Sequence, residues 1–215
     1  GSRLMPYSGN AKRGRLDPAG SSPPKEINTT ERDGIMTKAR IDETLEFYPL
    51  NLAVMTVSDT RDEATDTSGG LLIARAGAAG HTIVARQIVK DEVSAIRETV
   101  ARWVADPGID VILTTGGTGF SPRDVTPEAI RPLFSREMDG FSTVFHHVSL
   151  GTVGISTLQS RAFAGQAGET FIFCVPGSTG ACRDAWDHVF AFELNSRYRP
   201  CSLVGQIERY RGICP

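Results

Sequence analysis

Short apolar runs alternate with amphipathic stretches along the chain from Leu50 onward. An apolar run of about four to eight residues between polar turns is typical of a strand that is buried on both faces of a parallel sheet. Apolar residues spaced three, four and seven positions apart indicate a helix instead. The pattern predicts strands at Leu50–Val57, Thr82–Val89, Val111–Thr115 and Thr170–Val175, and helices at Gly69–Ala79, from Val93 to Val104, and near Thr126–Phe134, Thr143–Ser149 and Ala181–Phe192.

This alternation predicts an α/β fold with three αβα layers and a mostly parallel sheet. We expect a single domain of this kind over residues 41–215. Residues 1–40 are rich in Gly, Pro, Ser and charge, which predicts a disordered tail that starts with Gly1-Ser2 as cloning residues. Ligands of open α/β sheets bind beyond the carboxyl ends of the strands, so the loops that follow the strands are where we expect a site.

The charge distribution limits the classes of partner. Residues 1–40 carry a net charge of +4, and the remainder carries −6. A nucleic-acid-binding domain would show a basic face, so no nucleic-acid partner is expected. No apolar run reaches the roughly 18 residues of a membrane span, and no secretory signal is visible. The sequence therefore predicts a cytoplasmic protein without a membrane segment.

Cysteine and histidine spacing gives no sign of a transition-metal site. The cysteines, at positions 174, 182, 201 and 214, form no Cys-x-x-Cys pair, and the four histidines form no His-Glu-x-x-His pattern. We therefore expect free thiols in a reducing compartment.

The strongest chemical signal is the loop after the third predicted strand, Thr114–Asp124 (TTGGTGFSPRD). Its glycines allow backbone N–H groups to converge on an anion, although the same glycines also suit a purely structural turn. The loop is neither a Walker loop nor a Gly-x-Gly-x-x-Gly turn. Asp124 is either a turn carboxylate or a partner of Mg²⁺ beside phosphates. After it, Thr126 is expected to cap a helix that has Pro127 in its first turn.

Three further loops offer candidate residues with competing structural interpretations. Pro176–Gly180 is a second anion-binding candidate, but Ser178 or Thr179 also suits ordinary helix capping. Ser58 and Asp59 end the first strand, where a ligand can reach them, and one of residues 66–68 is expected to cap the following helix.

Asp91 follows the second predicted strand at a position that suits a helix N-cap. It also suits a carboxylate that holds Mg²⁺ against a nucleotide, because Mg²⁺ prefers oxygen ligands and substrate phosphates. No Ser-His-Asp or Cys-His constellation is visible, so covalent catalysis is disfavoured.

The stretch TTGGTGFSPRDVTPEA resembles the signature of the MoaB/MogA family of molybdenum-cofactor proteins. VMTVSDTRDEATDTSG resembles the first loop of that family, and REMDGF, STLQSRAFAG, VPGSTGACRDAW and RYRPC are similar to the MoaB branch in particular. The resemblance covers about Leu50–Cys201 and leaves the first 40 residues uncovered. It implies a three-layer α/β trimer, with pairing into a hexamer in the MoaB branch, and other molybdenum cofactor biosynthesis proteins as further partners.

The resemblance also implies an activity: Mg-ATP and molybdopterin react to give adenylyl-molybdopterin and pyrophosphate. Its acidic positions correspond to Asp91 and Asp124. We assign Asp91 to Mg²⁺ and the triphosphate, and Asp124 either to the orientation of the molybdopterin phosphate or to a second metal contact. The alternative is a paralogue or scaffold that binds molybdopterin without turnover. The substrate- and phosphate-binding residues that we expect are Ser58, Asp59, Thr115, Gly116, Gly117, Thr118, Gly119, Pro176, Gly177 and Ser178.

Overall fold

The computed structural model describes residues 40–207 and Tyr210. The prediction of a disordered tail falls on residues that lie outside this range, apart from Arg40. Eight strands occur within the described part: β1 (Arg40–Ile41), β2 (Asn51–Val57), β3 (Thr82–Val89), β4 (Val111–Thr115), β5 (Arg136–Glu137), β6 (Phe163–Ala167), β7 (Thr170–Val175) and β8 (Tyr198–Arg199).

Six of these strands form one sheet in the order β3-β2-β4-β7-β6-β5. The neighbours β3, β2, β4 and β7 run parallel, whereas β6 is antiparallel to β7 and to β5. The short β1 and β8 pair antiparallel in a separate ribbon. The sheet is therefore mostly parallel, as the sequence predicts.

Helices cover both faces of this sheet. The helices are α1 (Thr67–Ala78), α2 (Val93–Val104), α3 (Thr126–Ile130), α4 (Asp139–Val153), α5 (Thr179–Ala185) and α6 (Ala191–Glu193). Shorter helical segments of 3₁₀ type follow α3 at Arg131–Leu133, follow α4 at Gly154–Gln159 and occur at Leu203–Gln206, and a π-helical segment at Trp186–Phe190 joins α5 to α6.

The alternating side chains of β2 show why the fold has three layers. Leu52 and Val54 belong to the core on the side of α1, α4 and α5. Ala53, Met55 and Val57 belong to the opposite core, with α2 and α3. The strand is buried on both faces because helices cover each of them, which confirms the three-layer αβα prediction.

The structure corrects several predicted boundaries. Helix α1 begins at Thr67 rather than Gly69, and α4 is much longer than the predicted Thr143–Ser149. The segment predicted as one helix at Thr126–Phe134 is a short α-helix followed by a 3₁₀ turn. A π-helical segment interrupts the predicted helix at Ala181–Phe192.

Two buried cysteines match the expectation of free thiols. Cys174 and Cys182 are buried and free, and Cys201 is exposed. Burial raises the pKa of the Cys174 thiol to about 12 and that of Cys182 to about 11, so neither is a reactive thiolate at neutral pH. Cys214 lies outside the described residues.

Candidate active site

The four parallel strands end at the same level. In the strand pairing Val57 lies opposite Val89, Thr56 opposite Thr115, and Thr115 opposite Val175. The loops that follow β2, β3, β4 and β7 therefore leave the same edge of the sheet. All the residues that the sequence singles out as candidates lie in these loops or at the strand ends.

The glycine turn after β4 folds tightly against the end of β2. Gly116 has φ +107° and Gly117 has φ +64°, a region that side chains other than glycine rarely adopt. A Cβ atom on Gly116 would overlap the carbonyl oxygen of Val57, and one on Gly117 would overlap the hydroxyl of Thr126. Both glycines are thus required by backbone conformation and by space.

Thr126 holds this turn in place and does not cap a helix. Helix α3 begins at Thr126 itself, and its N-cap residue, Val125, makes no side-chain capping bond. The Thr126 hydroxyl donates to the carbonyl oxygen of Gly116 at 2.9 Å, and its backbone N–H donates to that of Gly117 at 3.0 Å. The predicted capping role of Thr126 is therefore wrong, whereas the predicted proline in the first turn is present.

The loop after β7 lies directly against the glycine turn. The Thr115 hydroxyl donates to the Pro176 carbonyl oxygen at 2.9 Å, and the Gly116 N–H donates to Val175 O at 3.0 Å. A Cβ atom on Gly177 would lie 3.2 Å from the Gly116 Cα, so the two backbones nearly touch. The two candidate anion loops therefore form one continuous surface.

A polar cleft of about 280 Å³ opens at this surface. Its wall consists mainly of backbone and small side chains, with Arg61, Asp66 and Asp124 as the charged contributors. The lining residues are Thr56, Val57, Ser58, Arg61, Asp66, Ser68, Gly116, Gly117, Thr118, Gly119, Asp124, Gln159, Ser160, Pro176 and Gly177.

Eight of the twelve predicted site residues lie in this wall, and four do not. Of these four, Thr115 joins the two loops through the hydrogen bond from its hydroxyl to the Pro176 carbonyl oxygen. Ser178 is the N-cap of α5, and its hydroxyl accepts a hydrogen bond from Ala181 N at 3.1 Å. The capping interpretation of Ser178 is thus confirmed. The other two, Asp59 and Asp91, lie beside the cleft.

Asp124 closes the glycine loop as a turn carboxylate. Its Oδ2 accepts a hydrogen bond from the Ser121 N–H at 2.8 Å and lies 2.9 Å from the position of a Cβ atom on Gly119. The turn interpretation is therefore correct. Asp124 also belongs to the lining of the cleft.

Asp91 lies against the glycine turn and does not cap a helix. Helix α2 begins at Val93, and its N-cap residue is Glu92, which corrects the capping prediction. The Asp91 Oδ1 lies 3.2 Å from the position of a Cβ atom on Gly117. Burial raises the pKa of the Asp91 carboxyl, and the negative charge of Asp59 raises it further.

The sequence pattern indicates no site role for Asp66, which lines the cleft. The Asp66 carboxylate accepts from the Thr56 hydroxyl and from Gly69 N, each at 2.8 Å, and pairs with Arg86 at 3.3 Å. It is the N-cap of α1, as expected of one of residues 66–68. Beside it, the Ser68 hydroxyl donates to Gly177 O at 3.1 Å, which ties α1 to the loop after β7.

Arg161 is a second residue that sequence analysis did not place in the site. Its backbone N–H donates to Thr118 O at 2.8 Å, its Nε to Gly119 O at 2.8 Å and its Nη2 to Asp124 O at 2.6 Å. Its Nη1 forms an ion pair with Glu128. One residue therefore binds three carbonyl groups of the glycine loop.

The fold and the site together define an αβα domain with a glycine-lined cleft at the carboxyl edge of its sheet. A family model described as "Probable molybdopterin binding domain" matches residues 53–196. The chain belongs to the MoaB/MogA family of molybdenum cofactor biosynthesis proteins, which confirms the resemblance seen in its motifs.

Relatives with known names agree with this assignment. The chain is 50% identical over 164 residues to Molybdenum cofactor biosynthesis protein B of Escherichia coli K12, covering 76% of this chain and 96% of that protein. It is 45% identical over 142 residues to the protein of the same name from Bacillus subtilis 168, covering 66% of this chain and 84% of that protein.

Solved structures of the family share the fold. A crystal structure of Molybdenum cofactor biosynthesis protein B matches with a TM-score of 0.67 and 38% identity, over 70% of this chain and 94% of that one. MoaB from Thermus thermophilus matches with a TM-score of 0.59 and 33% identity, over 66% of this chain and 89% of that one. No helix within the described residues has the length and apolar character needed to cross a membrane.

Proposed function

We propose that this chain acts in molybdenum cofactor biosynthesis by transferring an adenylyl group from Mg-ATP to molybdopterin, with release of pyrophosphate. The observation that carries this proposal is the meeting of two glycine loops at one cleft that has Asp124 in its wall. Family membership supports molybdopterin as the pterin, and the chemistry of the cleft supports phosphate as the group that is held.

Backbone amides are available in the cleft for phosphate oxygens. Among the described residues, none accepts a hydrogen bond from the N–H groups of Gly117, Thr118, Gly119 or Gly177. These four residues line the cleft. In a turn, successive N–H groups that have no hydrogen-bond acceptor in the protein form a concavity that suits an anion. Each of these groups gains a hydrogen bond when the anion binds.

The carboxylates fit a magnesium ion that arrives with the nucleotide. Asp59, Asp91 and Asp124 lie close enough for the charges of the other two to raise the pKa of Asp91. The described residues contain no group of three or more side chains that could cage a metal by themselves. This suits Mg²⁺, which is commonly held by one or two carboxylates together with substrate phosphates and which, when bound, neutralises charge on the triphosphate.

The residues of the chain then have positioning roles. We assign Asp91 to the metal side of the triphosphate and Asp124 to the orientation of the molybdopterin phosphate, whose oxygen attacks the α-phosphorus of ATP. A phosphate oxygen is already nucleophilic, so the protein needs no strong base. Ser58 lies in the wall of the cleft, and Asp59 holds the Asp91 loop through the Asp91 N–H at 3.3 Å. Positioning and charge neutralisation supply the rate enhancement.

A second function has an observation in its favour. Asp91 lies outside the wall of the cleft, so a chain that binds molybdopterin without turnover is the alternative proposal. The test is a turnover assay in which the protein, molybdopterin and Mg-ATP are incubated and pyrophosphate release is measured, with EDTA and molybdopterin-free controls. Release that depends on both substrates and on Mg²⁺ supports the transferase, whereas molybdopterin binding without release supports the alternative.

We also propose that the chain assembles into a trimer or hexamer. Large apolar side chains are exposed along α4 and the 3₁₀ segment after it, and a patch of this kind usually marks an interaction surface. Other molybdenum cofactor biosynthesis proteins are proposed as further partners. The exposed residues of this α4 patch are Val144, Leu150, Val153, Ile155 and Leu158.

A further inference from the structure

Phe120 is an exposed aromatic residue on the glycine loop itself. Its exposed fraction is 71%, and it is the one aromatic among the large exposed apolar residues of the described chain. It directly follows Gly119, which lines the cleft. The exposed ring therefore belongs to the residue next in sequence to the wall of a polar site.

One face of this ring is supported by Arg161. The guanidinium carbon lies 5.5 Å from the ring centroid, and Arg161 is itself held by Gly119 O, Asp124 O and Glu128. A cation over a ring face is favourable and restricts the movement of the ring. The aromatic ring is therefore backed by a guanidinium that is fixed to the same loop.

The cleft is small for a ligand that carries both phosphate groups and a ring system. Pockets that enclose a whole small molecule are usually about 300–1,000 Å³. The cleft, at about 280 Å³, falls just below this range. Its backbone amides suit phosphate groups, so we expect the ring system of a phosphate-bearing ligand to extend out of the cleft, next to the loop that carries the exposed Phe120.

We propose that Phe120, backed by Arg161, is a stacking platform for the planar nitrogen heteroaromatic ring of the ligand whose phosphate occupies the cleft. This inference rests on the proposed function, because it takes phosphate as the group bound in the cleft. Adenine and a pterin share this ring chemistry, and the arms of the experiment distinguish them. Stacking on an aromatic side chain does not require ring-specific hydrogen bonds, so either ring suits the platform.

The first experiment uses Phe120→Trp as a reporter. The natural Trp103 and Trp186 are only 6% and 3% exposed, so the introduced indole dominates the change in emission caused by surface binding. The probes are a non-hydrolysable ATP analogue with Mg²⁺, molybdopterin, and tripolyphosphate with Mg²⁺ as a probe that has no ring. We expect quenching by the ring-bearing ligand that stacks and none by tripolyphosphate. Bound ring-bearing ligands that leave the emission unchanged would overturn the proposal.

The second experiment compares Phe120→Ala with Val84→Ala, an exposed apolar control on β3. Loss of one stacked base weakens binding by about 5- to 150-fold, so Phe120→Ala should raise the Kd of the stacked ligand by that factor. Tripolyphosphate binding and oligomer mass should be unchanged, and Val84→Ala should match the wild type in all three measurements.

The remaining outcomes are distinguishable from one another, and the first four overturn the platform. Equal weakening of tripolyphosphate indicates damage to the loop, and an altered oligomer mass assigns Phe120 to a subunit interface. Wild-type affinity in Phe120→Ala together with intact pyrophosphate release removes the platform and leaves the proposed function standing. A wild-type protein that binds none of the probes removes both. A protein that binds molybdopterin but releases no pyrophosphate loses the transferase proposal, while the Kd values still decide the platform.

Discussion

Arg123 and Asp59 join two loops of the site that lie 64 residues apart in the chain. The Arg123 Nε and Nη2 donate to the Asp59 Oδ2 at 3.0 and 2.6 Å, and the Asp91 N–H donates to Asp59 Oδ1 at 3.3 Å. One carboxylate thus connects the loops after β2, β3 and β4. The guanidinium hydrogen bond holds the pKa of Asp59 below its usual value and offsets part of the repulsion between Asp59 and Asp91.

Replacement of Arg123 should change the titration of both carboxyls. In Arg123→Gln we expect the pKa of Asp59 to rise because its hydrogen-bonded cation is lost, and that of Asp91 to rise because a nearby positive charge is lost. Carbon-detected NMR titration measures both. Because the pKa of Asp59 is lower in the folded protein, the charged carboxylate stabilises the fold at pH values above the pKa of Asp59 in the unfolded chain. The stability difference between Arg123→Gln and the wild type should therefore disappear as the pH falls through the pKa of Asp59 in the folded protein. Unchanged titration of Asp59 would contradict the pairing.

A matched control for this substitution is Arg75→Gln. Arg75 pairs with Asp187 at 2.8 Å on the surface, away from the residues that line the cleft. Both pairs are exposed to solvent, where ion pairs contribute little to stability, so neither variant should melt much earlier than the wild type. Only Arg123→Gln should alter the pKa of Asp91.

Asp124→Asn should separate the turn role of this residue from its role in the site. Asn retains an oxygen that can accept from Ser121 N–H, so the melting temperature should stay close to that of the wild type. Loss of the charge should lower the rate of pyrophosphate release about 100-fold or more, which corresponds to roughly 3 kcal/mol of transition-state stabilisation. Turnover near the wild-type rate would remove Asp124 from the mechanism.

Asp62→Asn is the control for this prediction. Asp62 is also a turn carboxylate, which accepts from the N–H groups of Ala64 and Thr65 at 3.1 and 2.9 Å, but it does not line the cleft. We expect this variant to keep wild-type turnover. Comparable losses in the Asp62 and Asp124 variants would indicate a general effect of turn substitution.

Gly116→Ala should destabilise the protein. The positive φ of Gly116 and the overlap of a Cβ atom with Val57 O both oppose a side chain, because the contacted atom belongs to the backbone and cannot move aside cheaply. We expect a loss of about 1–3 kcal/mol or more in urea denaturation. Gly70→Ala is the control: its Cβ atom would meet nothing within 4 Å in α1, and it should stabilise the protein by roughly 0.5–1 kcal/mol. Equal stability of the two variants would contradict this account of the turn.

Local sequence predicts the strands and the loops because their signals are short-range. The run at Leu50–Val57 and the glycines after Val111–Thr115 need only neighbouring residues to be recognised. The antiparallel β6 escapes prediction because Phe163–Ala167 is short and contains Gly165. That glycine is needed because a Cβ atom there would overlap the Phe134 ring, a contact between residues far apart in sequence.

The site residues that sequence analysis does not find act across long separations in the chain. Arg161 lies 42 residues from Gly119 and 37 from Asp124, whose carbonyl groups it binds, so no local pattern indicates its role. The predicted helix capping by Asp91 and Thr126 is wrong because both side chains contact the glycine turn, which is distant in sequence from Asp91 and lies before Thr126. Thr126 bonds the carbonyl oxygen of Gly116, and the Asp91 carboxylate lies against Gly117 instead of over the first turn of α2.

The proposed assembly through the α4 patch can be tested with a single charge. Ile155→Glu places a carboxylate at the most exposed residue of this patch, where the exposed fraction is 73%, and burying that charge in an interface is costly. Light scattering should show the mass falling from a trimer or hexamer to smaller species. Val84→Glu is the control on β3, outside the patch, and should keep the wild-type mass. A wild-type monomer, or an Ile155→Glu variant of unchanged mass, would contradict the proposed interface.

Asp91→Asn should lower activity while it raises stability. The folded-state pKa of Asp91 is raised by burial and by Asp59, so the folded protein binds this proton more tightly than the unfolded chain does. Stability therefore falls as the pH rises through that pKa, and at neutral pH the charged carboxylate costs free energy. Asn removes this cost, so the variant should melt above the wild type at pH 7, and the difference should vanish in acid as the wild-type carboxyl becomes protonated.

If the carboxylate serves Mg²⁺ and the triphosphate, this gain in stability should accompany a fall of about 100-fold in pyrophosphate release. Glu193→Gln is the matched control, because burial also raises the pKa of Glu193, which lies outside the cleft wall. It should melt higher at neutral pH with unchanged turnover. An Asp91→Asn variant that melts lower and keeps its activity would show that Asp91 serves the fold alone. Asp91→Asn should thus raise stability and lower turnover, whereas Glu193→Gln should change stability alone. This contrast is expected if the Asp91 carboxylate is retained for its role in the reaction.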